Sequence, residues 1–522
     1  MKDLFDLIPN AQFSSELPAD KEEKNYNRQV EGACYSFVET RSPSNPEIVH
    51  SSKELLEELL LKVEDEERFL KVMSGAEKFK DFKAFAMCYG GHQFGHWAGQ
   101  LGDGRAINIS EFEHEGKKFQ LQLKGAGPTP YSRKADGLAV LRSSIREYLC
   151  SEAMHQLGVP TTRALSLVKS GDLVPRDMLY DGNNKDELGA IVCRVAPSFI
   201  RFGSFEIFAS RKDSATLKEL VDYTIKHHFT HLEGSSKKTY LSFFKEVVER
   251  TKSLILEWQR VGFVHGVMNT DNLSILGLTI DYGPYGWLEN YDPEWTPNTT
   301  DVQHKRYRFG NQAQIGLWNL LQLANALYPL IQEAEPLQKI LDEYKSGYLL
   351  GYHEMMCAKL GLYQVDLVPV KLIDEVSDQM KASEADMTLF FRELSSKEMQ
   401  EFEQFWKIIE EVSYLDKSEL RLQQENWKSI HKQLMSRIKA EGVEPKERET
   451  RMKAINPKYV LRNYMAQMAI DAAERGDNGL VDELYQLLLK PYHEQPEMDK
   501  WYAKRPEWAK HKVGCSMLSC SS

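Results

Sequence analysis

The 522-residue chain is 42% hydrophobic and 27% charged, which is typical of a soluble globular protein large enough for about two to four domains. Its net charge of −11 argues against nonspecific binding to nucleic acid or to an anionic membrane surface. No apolar run approaches the roughly 20 residues that cross a bilayer, and the acidic N-terminus has no targeting pattern, so we expect a cytoplasmic protein.

Seven cysteines are spread along the chain and form neither a disulfide framework nor a CxxC metal pair. Most are expected to be buried as small hydrophobic residues. Cys515 and Cys520 lie in a polar C-terminal segment that we expect to be mobile. An inert tail is favoured there over a redox switch.

The first 70 residues predict little regular structure. Residues 1–50 are polar and contain several prolines, so we expect an irregular arm over the core, with a short strand at 33–38. Leucines at helical spacing then predict one helix at 53–70.

Residues 89–105, YGGHQFGHWAGQLGDGR, predict a glycine-rich loop whose backbone closely approaches another group. Alternating apolar residues then predict strands at 105–112 and 118–124, with a turn between them and Lys124 at the end of the second. His92 and His96 could suggest zinc, but without a third ligand a packing role in the loop is favoured.

A second loop, GAGPTPYSRKADG, precedes a predicted helix at 139–157. Glu147 projects from the side opposite the apolar stripe of this helix, among uncharged residues, which indicates a second interface. The order of glycine loop, hairpin, lysine and helical glutamate is that of a kinase N-lobe, where lysine and glutamate pair to orient phosphates. Arg194, in a predicted strand at 188–196, and Arg201 offer guanidinium groups suited to phosphate, although such residues more often form salt bridges.

Residues 263–283 carry the most specific chemistry of the chain. HGVMNTDN and DYG enclose an apolar run, LSILGLTI, that predicts a tight β-hairpin. This hairpin would bring Asp271 and Asn272 close to Asp281. Together they would supply the oxygen ligands that Mg²⁺ uses when it holds nucleotide phosphates.

The same segment departs from the kinase pattern at one position. His265 and Asn272 fit the spacing of H-R-D-x-x-x-x-N, but the position of the catalytic aspartate holds Val267. An aspartate occurs instead at Asp271, directly before the asparagine.

The rest of the chain is predicted to be mainly helical, and from about residue 340 it forms an all-α appendage. The predicted helices are 241–261, 315–328, 336–360, 384–394, 397–411, 426–439, 457–475 and 480–489.

A set of motifs that covers most of the chain resembles the selenoprotein O family. They are YGGHQFG (89–95), QLGDGRA (100–106), LQLKGAGPTPYSR (121–133), VLRSSIREYL (140–149), HGVMNTDN (265–272), IDYGPYGWL (280–288), RYRFGNQ (306–312) and NPKYVLRN (456–463). The resemblance implies a kinase-like fold that binds ATP in a flipped orientation. It also implies transfer of AMP, rather than phosphate, to Ser, Thr or Tyr hydroxyls of proteins.

The resemblance also implies roles for individual residues. Asp271 would accept the proton of the hydroxyl, Asn272 and Asp281 would bind the metal, and Lys124 and Glu147 would form the N-lobe ion pair. The remaining nucleotide contacts would come from the two glycine loops and from the arginines near the outer phosphates: Gly102, Gly104, Arg105, Asp136, Gly137, Arg194 and Arg201, together with Lys124 and Asp281.

The chain departs from the family at a few positions. Leu138 replaces an arginine that is frequent in the family, and Lys305 replaces a glycine. Cys520 matches the family's terminal selenocysteine or cysteine. In some bacterial members that cysteine pairs with one at the position of Pro297, so the resemblance does not carry this disulfide over.

An electrostatic argument bears on the orientation of the nucleotide. A carboxylate at Asp103, inside the glycine loop, would repel phosphates lying beneath it by ~1 kcal/mol in water and ~4 kcal/mol at an effective dielectric near 20, at about 4 Å. This mildly favours outer phosphates near Lys124, Arg194 and Arg201, with the α-phosphate facing the metal.

The sequence therefore predicts an α+β, two-lobed, protein-kinase-like fold with an additional α-helical C-terminal region. We expect an N-terminal extension at 1–75, an N-lobe at 76–195, a C-lobe at 196–340 and the helical region with its cysteine-containing tail at 341–522. The predicted function is that of a protein adenylyltransferase using ATP and Mg²⁺ or Mn²⁺, with protein substrates and neither nucleic acid nor membrane as partners. A kinase that transfers the γ-phosphate and a non-catalytic nucleotide-binding scaffold remain alternatives.

Overall fold

The computed structural model of this protein describes residues 1–178, 181–515 and 517–519. The strands of this part of the chain lie mostly before residue 200. They are β1 Lys2–Asp3, β2 Tyr35–Phe37, β3 Glu47–Ser51, β4 Leu61–Lys62, β5 Phe85–Met87, β6 Gly90–Gln93, β7 His96–Gln100, β8 Ala106–His114, β9 Lys117–Lys124, β10 Ala139–Val140, β11 Arg163–Arg176, β12 Lys185–Ala196, β13 Phe263–Val264 and β14 Gly286–Trp287.

One antiparallel sheet organises the first 200 residues. Seven strands pair in the order β2-β5-β8-β9-β12-β11-β3, and β10 pairs with β12 as the eighth. The predicted strand near 33–38 is found as β2, and β3 was not predicted. Both lie at edges of the sheet, so the N-terminal arm is built into the sheet instead of only covering it.

The predicted hairpin around Lys124 is confirmed. β8 and β9 are joined by a tight turn in which Glu115 and Gly116 both have positive φ, as a type I′ hairpin turn requires. Gln120 and Gln122 on β9 are buried, although the alternation of the strand suggested a polar face. Their amides donate to Glu111 and Asp103, which explains how this face tolerates burial.

Helices make up most of the second half of the described chain and are fewer in the first half. They are α1 Gln12–Glu16, α2 Lys53–Glu58, α3 Glu66–Met73, α4 Leu141–Gln156, α5 Phe202–Ser210, α6 Ser214–His228, α7 Lys237–Val261, α8 Gln312–Ile331, α9 Ala334–Leu360, α10 Val370–Ala382, α11 Met387–Ser396, α12 Phe402–Val412, α13 Lys417–Arg421, α14 Gln424–Glu441, α15 Pro445–Ile455, α16 Asn463–Ala473 and α17 Gly479–Leu488.

Three predicted helices differ from the structure by five residues or more at one end, among them the helix expected at 397–411, which begins at Phe402. The helix expected at 53–70 is divided into α2 and α3, because Leu60 has positive φ and β4 pairs with β1. The helix expected at 457–475 begins only at Asn463, since the N–H groups of Lys458 and Tyr459 donate to the carbonyl of Pro491.

Helix α5 was not predicted because it has no polar side. Seven of its residues, Phe202 to Phe208, are buried, so the sequence shows no amphipathic period. This helix lies against β6 and α8, directly behind the loop that contains Asp271.

The predicted mixture of strands and helices, with helices forming the C-terminal part, is confirmed. The two-lobed kinase-like arrangement and the domain boundaries stay predictions. No helix in the described ranges is long and apolar enough to span a membrane, and the cellular location stays a prediction as well.

The prediction of a mobile tail is wrong for the described C-terminal residues. Cys515 is buried, and burial raises the pKa of its thiol to about 11. Leu518 donates its N–H to the carbonyl of Pro297 and accepts from the N–H of Thr299. Leu518 is therefore held by backbone hydrogen bonds to Pro297 and Thr299. Cys520 lies outside the described residues.

Arg462 and Asp386 provide a test of how the helical region is held together. Their bidentate ion pair has N–O distances of 2.7 and 2.9 Å and is almost fully buried. We expect Arg462→Met to lower the free energy of unfolding by about 3 to 5 kcal/mol, because it leaves an uncompensated buried charge. Urea unfolding followed by tryptophan fluorescence measures this change.

The matched control is Lys371→Ala, which removes an exposed lysine from an i,i+4 pair with Glu375 on α10. Its effect should be below about 0.5 kcal/mol. Equal stability of Arg462→Met and the parent protein would contradict the assigned role of the buried pair.

Candidate active site

A cleft of about 670 Å³ opens between the end of the β8–β9 hairpin and the segment around Asp271. Among the described residues that line it, basic side chains outnumber acidic ones. The basic residues are Arg105, Lys124, Arg133, Lys134, Arg176, Arg194 and Arg201, and the acidic residues are Asp103, Asp136, Asp271 and Asp281. The excess of positive charge suits a polyanionic ligand.

Lys124 connects the sheet, α4 and the DYG segment. Its Nζ lies 2.6 Å from Oε2 of Glu147 and 3.1 Å from Oδ1 of Asp281. The expected pairing of Lys124 with Glu147 is therefore present in the geometry. Glu147 is 3% exposed, which explains why its side of α4 is not charged like a solvated face.

Arg194 and Arg201 lie behind this ion pair. Nη1 of Arg194 donates to Oε1 of Glu147 at 3.4 Å and to the carbonyl of Ile280 at 3.1 Å, and its Nη2 donates to Gln122. Nη1 of Arg201 donates to the carbonyl of Asp271 at 2.9 Å. Nε of Arg194 and Nη2 of Arg201 are buried without a hydrogen-bond partner among the described groups.

The two glycine loops also line the cleft. Gly102, Gly104 and Arg105 line it from the first loop, and Asp136 and Gly137 line it from the second. Gly102 has a φ of +75°, and a Cβ there would lie 2.3 Å from the ring of Tyr131, so no larger residue fits. The predicted nucleotide-loop residues thus line the same cleft as Lys124.

Asp103 lies in the first glycine loop, where the sequence predicted that its charge would oppose phosphates beneath the loop. Its carboxylate is buried and accepts hydrogen bonds from Met87 N, Tyr89 Oη and Gln122 Nε2. Burial raises the pKa of Asp103, and Arg201, 3.8 Å away, opposes that rise. The repulsion inferred from the sequence is therefore smaller than a free carboxylate would produce.

The predicted hairpin at 273–280 is reduced to a single antiparallel bridge between Leu273 and Thr279. The chain nevertheless turns back, and Asp271, Asn272 and Asp281 line the same cleft. Asn272 lies in a short 3-10 turn, Thr270–Asn272, and its Nδ2 donates to the carbonyl of Val267 at 3.0 Å. The backbone carbonyl of Val267 thus orients Asn272. The side chain of Val267 has no carboxylate that could accept a proton.

Asp271 is a buried carboxylate at the edge of the cleft. Burial raises its pKa to about 7, against the opposing charge of Arg201, and the nearby Asp281 adds to the rise. Its Oδ1 has no hydrogen-bond partner within the described part of the chain. A carboxylate with this proton affinity is suited to accept a proton near neutral pH.

Asp281 has the opposite electrostatic environment. Burial would raise its pKa, but Lys124 and Arg194 outweigh burial and hold the pKa of this carboxyl well below its usual range. Neither Oδ2 of Asp281 nor Oδ1 of Asn272 has a described hydrogen-bond partner. Two such oxygens beside a cleft of about 670 Å³ fit Mg²⁺ or Mn²⁺, which needs few protein ligands when phosphates supply the rest.

The zinc interpretation of His92 and His96 finds no support. His92 Nδ1 lies 2.7 Å from Oε1 of Glu206, and its ring packs between Trp97 and Trp318, whereas His96 is exposed. No cluster of three metal-ligating side chains occurs within residues 1–178, 181–515 and 517–519.

Several residues that support the 265–272 loop were not predicted from the sequence. Gln312 and Asn319 on α8 bond the backbone of His265, Phe263 and Met268. Tyr307 donates its hydroxyl to Asn269, and Gln93 donates to Asp271. The motifs YGGHQFG and RYRFGNQ contain three of these residues, but nothing in their spacing indicates which loop they reach.

Comparisons with known proteins point to one family. The family described as "Protein adenylyltransferase SelO" matches residues 21–490. A "Protein nucleotidyltransferase YdiU" of Flavobacterium johnsoniae is 57% identical over 98% of this chain and 99% of its own length. Proteins with the same name from Rhodopirellula baltica and Azoarcus sp. are 52% and 51% identical, each over 99% of this chain and over 100% and 99% of their own lengths.

Arg176 provides a test of how the second glycine loop is ordered. Its guanidinium donates to both carboxylate oxygens of Asp136, at 2.7 and 2.9 Å, and to the carbonyl of Leu138. Asp136 in turn accepts from the N–H of Leu138 at 2.9 Å. We expect Arg176→Lys to accelerate amide hydrogen exchange at 133–138 about tenfold or more, because lysine cannot replace a planar fork.

The β8–β9 turn at residues 114–117 is the internal control, and its exchange should not change. Unaltered exchange at 133–138 in the variant would show that the loop does not depend on the fork.

Proposed function

The chain belongs to the SelO family of protein adenylyltransferases, as its motifs indicated, and on this premise we propose that it transfers AMP from ATP to Ser, Thr or Tyr hydroxyls of proteins. Pyrophosphate is the second product. The chain is a nucleotidyltransferase by family, so ATP follows as its substrate, whereas the acceptor residues and the metal are part of the proposal.

One observation carries the proposal most directly: a proton acceptor and a cluster of cations suited to phosphate line the same cleft. Asp271 has a raised pKa, Lys124 and Arg194 lie beside Asp281, and Arg201 bonds the backbone of Asp271. Outer phosphates held by these cations would leave the α-phosphate toward Asp271. This supports the flipped orientation of ATP within a kinase-like arrangement.

The proposed reaction would use side chains that line the cleft. The hydroxyl oxygen of the acceptor attacks the α-phosphorus, the bond between that phosphorus and the pyrophosphate oxygen breaks, and the hydroxyl proton passes to Asp271. Asn272 and Asp281 would hold Mg²⁺ or Mn²⁺, which supplies neutralisation of phosphate charge. Lys124, kept in position by Glu147, would stabilise negative charge on the leaving pyrophosphate.

The γ-phosphate transfer of a true kinase is the main alternative. Val267, which replaces the usual catalytic aspartate, is buried and carries no acid. A scaffold without catalysis fits poorly with Asp271, because a buried carboxylate with an unpaired oxygen costs folding free energy. A kinase in which Asp271 replaces the lost base would use the same raised pKa, so this carboxylate does not separate phosphate transfer from AMP transfer.

The position of the label decides between AMP transfer and phosphate transfer. We expect protein-bound label when the full-length chain is incubated with an acceptor protein mixture, Mg²⁺ or Mn²⁺, and ATP labelled at the α-phosphate. No label should be transferred from γ-labelled ATP. Label from the γ position alone would contradict the proposal.

Asp271→Asn should abolish most of the transfer while ATP still binds. Asparagine keeps the size of the side chain but cannot accept the hydroxyl proton, so the rate should fall about 10² to 10⁴-fold. Calorimetry with ATP should give an affinity within about twofold of the parent.

Asp366→Asn is the matched control, since Asp366 is exposed and lies in the helical region. Its transfer rate should equal that of the parent. An unreduced rate in Asp271→Asn would exclude this residue as the proton acceptor.

A further inference from the structure

The β6–β7 hairpin, which the proposed reaction does not use, lies directly on the 265–272 loop. The N–H of His92 donates to Oγ1 of Thr270 at 2.7 Å, and the N–H of Phe94 donates to Oδ1 of Asn269 at 3.2 Å. Between them, Nε2 of Gln93 donates to Oδ2 of Asp271 at 3.3 Å. Three consecutive residues of the hairpin, 92–94, thus bind three consecutive residues of the loop, 269–271.

The close approach continues at Gly91. A Cβ at this position would lie 2.7 Å from Oδ1 and 2.9 Å from Cβ of Asp271. Glycine is therefore needed for the hairpin to lie this near the carboxylate. The absence of a side chain also leaves Oδ1 packed against the backbone with no donor among the described groups.

The hairpin has its own rigid support on the far side. A Cβ on Gly203 of α5 would lie 2.0 Å from the carbonyl oxygen of Gly90, so α5 packs tightly beneath β6. His92 is anchored by Glu206 at 2.7 Å, and the hydroxyl of Tyr307 binds the N–H of Phe94 at 2.9 Å. These contacts do not involve the side chain of Gln93.

The two oxygens of Asp271 consequently differ. Oδ1 is closed off by Gly91, whereas Oδ2 faces Gln93, which lines the cleft together with Asp271. Oδ2 is therefore the oxygen that an acceptor hydroxyl can reach. Gln93 is placed to fix its direction.

We propose that Gln93 is a positioning residue, whose amide holds Oδ2 of Asp271 toward the acceptor hydroxyl. This inference rests on the proposed AMP transfer, because it assigns the hydroxyl to one oxygen of Asp271. A side chain fixed by a neighbour loses less freedom when the acceptor arrives, and misplacement by about 1 Å can cost about 10²-fold in rate.

Gln93→Ala tests the role without removing the backbone bonds that hold the hairpin. We expect kcat for transfer from α-labelled ATP to fall about 10 to 100-fold. The dissociation constant for ATP by calorimetry and the melting temperature should stay at the parent values. Gln93→Glu, which replaces the donor by a repelling carboxylate of equal length, should reduce kcat at least as much.

His96→Ala is the matched control. His96 pairs with Gln93 across the hairpin but is exposed and lies away from Asp271. Its kcat should equal that of the parent. A parent-like kcat in Gln93→Ala would overturn the inference. A loss of kcat accompanied by an equal loss of ATP affinity and a lower melting temperature would do so as well, since it would indicate a structural role.

A crystal structure of Gln93→Ala separates this inference from the proposed function. We expect the Asp271 carboxylate to rotate or to occupy two rotamers in the variant. An unchanged rotamer overturns the positioning role whatever reaction the protein performs. Absence of α-label transfer by the parent protein would overturn the proposed function instead.

Discussion

The ion pair between Lys124 and Glu147 is the interaction on which the rest of the site depends. Lys124 ends β9, Glu147 lies on α4, and Asp281 follows the turn after the 265–272 loop, so a single ammonium joins three parts of the chain. Two opposite charges about 4 Å apart attract by ~4 kcal/mol at an effective dielectric near 20. Such an attraction offsets burial only when each charge keeps its partners.

That network also gives different pKa values to the two carboxylates that the proposed reaction needs. Asp281 lies beside Lys124 and Arg194 and stays ionised, which suits a metal ligand. Asp271 is buried against Gly91 and accepts a long hydrogen bond from Gln93, and burial raises its pKa to about 7. Environments that give two neighbouring acids very different pKa values are typical of active sites. In such sites one acid exchanges protons and the other stays charged. Val267 is consistent with these roles. Its carbonyl orients Asn272, and its side chain cannot accept a proton, so the proposed proton acceptor is Asp271.

The sequence predicted those features that depend on short spacings. The β8–β9 hairpin follows from alternation and its turn, and the pairing of Lys124 with Glu147 joins residues 23 positions apart. Helix α5 could not be predicted, because a helix that is buried all round has no amphipathic period. The contact between His92 and Thr270 spans 178 positions, and no local pattern encodes it. The mobility predicted around Cys515 was wrong for a related reason. The polar sequence there gives no sign that Leu518 bonds the backbone of Pro297 and Thr299.

The direction of the bound triphosphate is the central claim, and a crystal structure with Mg²⁺ and a non-hydrolysable ATP analogue measures it most directly. The γ-phosphate should lie against Lys124, Arg194 and Arg201, with the α-phosphate next to Asn272 and Asp281 and facing Asp271. A γ-phosphate facing Asp271, with the α-phosphate at Lys124, would contradict it.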